Sequence, residues 1–132
     1  YGSHHLQEMK SYARIMPAVN QIEINPWLQR PKLVVATKEV GAIPMAYSPL
    51  ARGHKVSDSN LIEVAGMLNC SPAQVAIKWC IDSGAITIPK SSNRDRIEEN
   101  FQSQDIDLTP VKEYFPSMDE NYISGWDPTV EP

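Results

Sequence analysis

Lys90, Ser91, Ser92, Asn93, Arg94 and Arg96 put cations, hydroxyls and an amide into one short stretch of chain. The stretch follows Ile86-Thr87-Ile88, a β-branched run with the composition of a buried parallel strand, and Pro89 ends that strand. Asn93 is a good helix N-cap, and Ile97 and Phe101 at i, i+4 supply a buried face for the helix it opens. A strand, a tight turn and a helix N-terminus leave backbone N–H groups unpaired beside Lys90, Arg94 and Arg96. That is an anion site by construction, and its usual occupant is phosphate. The alternative is a solvated turn carrying ordinary surface charge.

Two further stretches carry polar groups where a strand should end. Pro17 to Ile24 (PAVNQIEI) reads as a strand, and its Asn20, Gln21 and Glu23 must find partners or line a site. Ile43 to Tyr47 (IPMAY) reads as another, with Pro44 at its entry because proline cannot donate to a sheet ladder. The turn Ser48-Pro49-Leu50-Ala51-Arg52-Gly53 follows it.

Helices are expected between and around these strands. Residues 1–14 look helical, with Leu6, Met9 and Ala13 on one face. Pro31 opens a helix that buries Leu33, Val34, Thr37 and Val40 and closes at Gly41. A third runs from about Asn60 to Leu68 with Leu61, Val64, Ala65 and Leu68 inward. Ser71-Pro72-Ala73-Gln74 combines an N-cap, a proline at the first helical position and a capping box. It opens a helix that carries Val75, Ala76, Ile77, Trp79 and Cys80 and ends near Gly84. Leu108-Thr109-Pro110 starts a short helix that Pro116 should curtail. Asn121 to Pro132 reads as an irregular tail lying on the surface or over a site.

Repeated strand–helix units imply parallel strands joined by right-handed crossovers, an α/β fold. Ligands in such folds sit at the carboxyl ends of the strands. The polar groups Asn20/Gln21/Glu23, Tyr47/Ser48 and Lys90/Ser91 should therefore converge on one face.

The totals bound the remaining possibilities. With 132 residues, 42% hydrophobic and 21% charged, the chain has the material of one domain with a single core. A net charge of −4 gives no overall attraction to nucleic acid or to anionic lipid, so neither partner is expected. No apolar run reaches membrane-spanning length, and the first residues lack the regions of a signal peptide. Cys70 and Cys80 read as reduced thiols in an apolar helical region, which fits a cytoplasmic location. His4 and His5 are adjacent, point about 100° apart on a helix and have no third ligand nearby. They read as surface or capping residues, and no metal is expected.

In order and spacing, HHLQEM, PAVNQIEINP, IPMAYSPLARG, SPAQVAIKW and IPKSSNRDRIEEN with DIDLT after it resemble the C-terminal part of the aldo-keto reductases, over nearly the whole chain. The fold this implies is the C-terminal portion of a (β/α)8 TIM barrel, about three parallel strands with flanking helices. Residues 1–120 would form the incomplete barrel and residues 121–132 a C-terminal tail. The cofactor implied is NADP(H), extended across the strand ends. Carried over by position, Gln21 would meet the nicotinamide carboxamide and Tyr47 would stack on the nicotinamide ring. Ser48, Leu50 and Arg52 would contact the pyrophosphate. Lys90, Ser91, Asn93 and Arg96 would hold the 2′-phosphate and its ribose, and Glu99 and Asn100 would approach the adenine.

The same resemblance puts the catalytic Asp, Tyr, Lys and His upstream, and none of their motifs occurs here. Tyr47 is not the proton-donating tyrosine. The implied function is the cofactor-clamping segment of an NADPH-dependent reductase that converts aldehydes or ketones to alcohols. The competing reading is a non-catalytic NADP(H)-binding or partner-binding module, for which the missing tetrad speaks. Trp27 and Trp126 are candidates for shaping a pocket for the small carbonyl substrate, with packing or tail anchoring as their alternative. Three parallel strands alone leave two open edges and an uncovered inner face. The isolated chain is therefore expected to self-associate or to need an N-terminal fragment.

Overall fold

Three short parallel strands in the order β1-β2-β3 organise the chain. The computed structural model describes residues 1–130. The elements run α1 (Ser3–Met9), β1 (Val19–Glu23), α2 (Pro31–Glu39), β2 (Ile43–Tyr47), α3 (Ser59–Met67), α4 (Pro72–Asp82), β3 (Ile86–Thr87) and α5 (Arg94–Gln102). Short 3₁₀ segments at Ala51–Gly53 and Ser103–Asp105 and a longer one at Thr109–Met118 complete them. Along β1 and β2 the register runs from Val19↔Ile43 to Glu23↔Tyr47, and β2 meets β3 at Met45↔Ile86 and Ala46↔Thr87.

Side chains alternate across this sheet. Ile22, Ile24 and Ala46 point to one face and pack with Leu6, Leu33, Val34 and Cys80 from the helices. Asn20 on the same face satisfies its amide by donating to Thr37 Oγ1 at 3.0 Å. The opposite face, which carries Gln21, Ile43, Met45, Ile86 and Ile88, has no covering layer among the described residues. Ile43, Ile86 and Ile88 are 49%, 42% and 40% exposed. The expectation of a buried strand at 86–88 is thus corrected: β3 is two residues long, and Ile86 and the following Ile88 lie on the open face.

Pro44 lies in the central strand yet breaks no ladder bond. Ile43 donates to Ala18 on the β1 side at 2.9 Å, so alternation turns the nitrogen of residue 44 toward β3. Pairing with β3 begins only at Met45.

The second core is built without strand residues. In it Trp27, Leu61, Val64, Val75, Ala76, Val111, Phe115 and Met118 are buried together. The helix starts are closed by side chains: Asp58 accepts from the Leu61 N–H at 3.0 Å, and Asn93 from Arg96 at 3.1 Å. Ser71 and Gln74 form the full capping box, with bonds of 3.2 and 3.1 Å.

Several elements differ from expectation. Helix α1 stops at Met9, and turns occupy much of the rest of 1–14. Pro116 does not curtail its helix, because the segment is 3₁₀ and runs on to Met118. Burial of Val111, Phe115 and Met118 holds that segment despite the donor lost at the proline. On α5, Ile97 and Phe101 form the expected stripe, but they are 52% and 72% exposed. Their spacing is right for a buried face; no described residue supplies the surface to bury it. Val40 and Leu68 are only partly buried.

Among the described residues, no helix is long and apolar enough to cross a membrane. Both cysteines are free thiols. His5 accepts from the Gly2 N–H through Nδ1 at 2.8 Å, a capping contact at the start of α1. No group of His, Cys, Asp or Glu among the described residues can hold a metal ion.

Candidate cofactor site at the strand ends

The turns after β2 and β3 face each other across two adjoining clefts. One, of about 400 Å³, lies between Ser48, Leu50, Arg52 and Gly53 on one side and Ile88, Pro89 and Lys90 on the other. The second, of about 430 Å³, continues past Leu50 and Lys90 to Ser71, Ser91, Arg96, Glu99 and Asn100. Together they form a channel from the end of β2 to the first turns of α5. A third cleft, of about 360 Å³, lies between α4 and the 3₁₀ segment and receives none of the sequence-predicted residues.

Charge in the channel is positive where a phosphate would lie. Arg94 is paired with Glu98 at 3.1 Å on the exposed side of α5. The side chains of Lys90 and Arg96 have no hydrogen-bond or ion-pair partner among the described residues. Glu99, the acid beside them, is tied up: Ser71 Oγ donates to its carboxylate, and its carbonyl accepts from Gln74 at 3.2 Å. Asn93 spends its side chain on capping α5, and its N–H donates to Ser91 Oγ at 3.1 Å.

The loop that forms the other wall is strained. Ser48, Ala51 and Arg52 have φ of 49°, 45° and 54°, the left-handed region that costs a side chain about 1–2 kcal/mol. Backbone held this way clusters at ligand-binding positions in proteins generally.

Gln21 and Tyr47 stand on the open face of the sheet, on neighbouring strands and two residues apart in register. Gln21 donates to Met45 Sδ at 3.2 Å. Tyr47 is half-buried, and burial followed by the nearby Glu23 charge pushes its hydroxyl above the ordinary tyrosine value. Of the two substrate candidates, Trp27 is fully buried in the second core. Its carbonyl accepts from the N–H groups of Glu120 and Tyr122 at 3.1 and 3.0 Å, so its visible role is to pack and to anchor the tail. Trp126 is 66% exposed, and its carbonyl accepts from Tyr47 Oη at 3.4 Å.

Sequence reasoning missed what holds the tail here. Glu23, buried at 2% exposure, accepts from the Ser124 N–H through both oxygens at 3.2 Å and from Asn25 at 3.3 Å. Arg30 pairs with Asp127 at 2.9 Å and donates to Thr129 Oγ1 at 2.5 Å. The tail therefore crosses the strand ends, one of the two positions expected of it; its final residues, 131 and 132, lie outside the described residues. Only the polarity of Glu23 within a strand points to this arrangement, because its partner sits at the far end of the sequence.

Comparison with known proteins agrees with this architecture. The Aldo/keto reductase family profile matches residues 1–121. An oxidoreductase of Schizosaccharomyces pombe is 38% identical over 134 residues, covering 100% of this chain and 49% of its own length. A protein of Trypanosoma cruzi named as a 9,11-endoperoxide prostaglandin H2 reductase is 39% identical over 132 residues, covering 97% of this chain and 47% of its own length. Among solved structures, apo Gox0644 superposes with a TM-score of 0.89 at 30% identity, over 100% of this chain and 49% of that one. A Bombyx mori aldo-keto reductase in complex with NADP gives 0.82 at 29% identity, over 96% and 45%. The chain spans about half the length of the curated relatives it matches. Its open three-stranded sheet with flanking helices corresponds to the C-terminal portion of the family's barrel, and the chain belongs to the aldo/keto reductase family of oxidoreductases.

Proposed function

We propose that this chain is the cofactor-clamping portion of an NADPH-dependent reductase that converts small aldehydes or ketones to alcohols. The observation that carries the reading is the pair Lys90 and Arg96, two cations in one channel with no carboxylate partner. Both residues are exposed and line the channel, so their charges are free to pair with an anion that enters it. A 2′-phosphate on the adenosine ribose has the right charge and size, and Ser91 and the N-terminus of α5 add donors to it. The residues present thus fit NADP(H): Lys90, Ser91, Asn93 and Arg96 at the 2′-phosphate, with Glu99 and Asn100 toward the adenine. Ser48, Leu50 and Arg52 would lie along the pyrophosphate, Tyr47 under the nicotinamide and Gln21 at its carboxamide. When bound, the cofactor supplies the hydride.

The chain's own contribution is binding and orientation. It holds no candidate for the proton-donating tyrosine or its partners, so carbonyl reduction would need residues beyond the 132. The non-catalytic reading makes the same prediction for the chain alone, and turnover separates them in a longer protein. The direct test is binding of adenosine 2′,5′-bisphosphate against adenosine 5′-monophosphate. Preference for the 2′-phosphate, lost in Lys90→Ala, supports the clamp; equal binding of the two contradicts it. NADPH oxidation with a generic aldehyde by the chain alone would contradict the division of labour.

A further inference from the structure

The tail does more than cover the strand ends: it grips the loop that walls the candidate channel. Lys55 Nζ meets Glu120 at 2.5 Å, and His54 Nδ1 lies 2.8 Å from Tyr122 Oη. Lys55 also sits over the Tyr122 ring, 4.8 Å from its centroid. Gly125 lies so close to Arg52 that a Cβ there would come within 2.6 Å of the guanidinium. The loop is left-handed at Ser48, Ala51, Arg52 and Gly53; apart from the tail it is held by Ala51, buried in the second core, and by Asn25, which donates to the Ser48 carbonyl at 3.4 Å. The tail, by contrast, is fixed independently of the loop, through Glu23, the Trp27 carbonyl and the Arg30–Asp127 pair.

We propose that Asp119–Thr129 is a strap coupled to the loop Ser48–Asp58, so that releasing the strap at its far anchors loosens the channel wall. Each exposed contact is weak alone. They act together because one anchored backbone carries all of them. Linkage makes the coupling reciprocal: a ligand that orders the loop must also tighten the strap. This last clause rests on the cofactor reading above; the coupling itself does not.

Hydrogen exchange read by mass spectrometry on the full chain tests it. Asp127→Asn removes the ion pair with Arg30 and touches no loop residue. It should speed exchange at 120–129 and also at 50–58 by about fivefold or more, the lower range for coupled sites. Adding Glu120→Gln and Tyr122→Ala, which removes the ion pair, the hydroxyl contact and the ring under Lys55 and leaves only the Gly125–Arg52 contact, should sharply reduce the response of 50–58 to Asp127→Asn. Exchange in α4 should stay unchanged and reports any global unfolding. If Asp127→Asn unfolds the chain, Arg30→Lys, which weakens the same far anchor at Asp127 and Thr129 and touches no loop residue, replaces it with the same expectation for both segments. Faster exchange confined to the strap would overturn the proposal. Protection of 120–129 on adding NADPH supports the reciprocal clause. Coupling without NADPH protection would refute the cofactor reading and leave the strap standing.

Discussion

The Ser124 N–H bridges both carboxylate oxygens of Glu23, 101 residues earlier in the chain, at 3.2 Å to each. A buried acid at the end of β1 thereby ties an irregular tail to the sheet. The Arg30–Asp127 pair fastens the same tail further on, where both side chains are 12% exposed. The open ends of the strands are thus framed by a strap on one side and a strained loop on the other.

That second fastening has a defined pH response. Burial pushes the Asp127 carboxyl up, but hydrogen bonds from Thr129 and Arg30 outweigh it and hold the group below its usual value. A carboxyl lowered on folding contributes stability above its unfolded value, about 3.9, and loses it as the pH falls through the lower folded value. The unfolding free energies of wild type and Asp127→Asn should differ by a constant amount above about pH 5 and converge below that. Urea titrations across this range measure it. A difference that widens as the pH falls would contradict the assignment.

Lys90 and Arg96 should decide which nicotinamide cofactor is preferred. Replacing either by alanine removes a charge-assisted contact to the 2′-phosphate, each on the order of 1.5–3 kcal/mol. NADPH affinity should fall by about tenfold or more while NADH affinity stays nearly constant. Calorimetric titration of both cofactors against each variant reads this. Equal losses for the two would show that these cations serve the fold and not the phosphate.

The two thiols should differ sharply in reactivity. Burial pushes the Cys80 thiol up to about 12, and also raises Cys70, which is only partly enclosed. At roughly pH 8 a thiol titrating near 12 is ionised to about one part in ten thousand. Iodoacetamide should label Cys70 slowly and Cys80 only after unfolding, as followed by mass spectrometry. Equal native labelling of the two would mean that the core around α4 opens readily.

The uncovered sheet face should make the isolated chain associate. Ile43, Ile86 and Ile88 form an exposed apolar surface beside an unpaired strand edge, the arrangement that invites edge pairing. Sedimentation should show mass rising with concentration, and Ile86→Lys with Ile88→Lys should suppress that rise. A monomer with a steep, concentration-independent unfolding transition would contradict the prediction.

Local signals in the sequence were good guides to local structure. The capping box at Ser71/Gln74, the cap at Asn93 and the polar turn after Ile88 all have short-range causes, and each is found where its residues put it. The parallel order of the strands followed from the alternation of strands and helices. Burial on the outward faces was less legible, because Ile97 and Phe101 carry a pattern that describes a partner and cannot say whether that partner lies in the chain. Thr109–Met118 runs past Pro116 because Phe115 and Met118 reach a core built from distant segments, which outweighs one proline. The strap was hidden for a similar reason: Glu23–Ser124 and Arg30–Asp127 join opposite ends of the sequence without any periodic trace.

If these residues clamp NADPH, direct titration of the chain shows it. Trp27, Trp79 and Trp126 provide the fluorescence signal, with NADH as the comparison. Saturable quenching by NADPH, at least about tenfold tighter than by NADH, is the predicted result. No saturable binding, or equal affinity for both, would contradict the account.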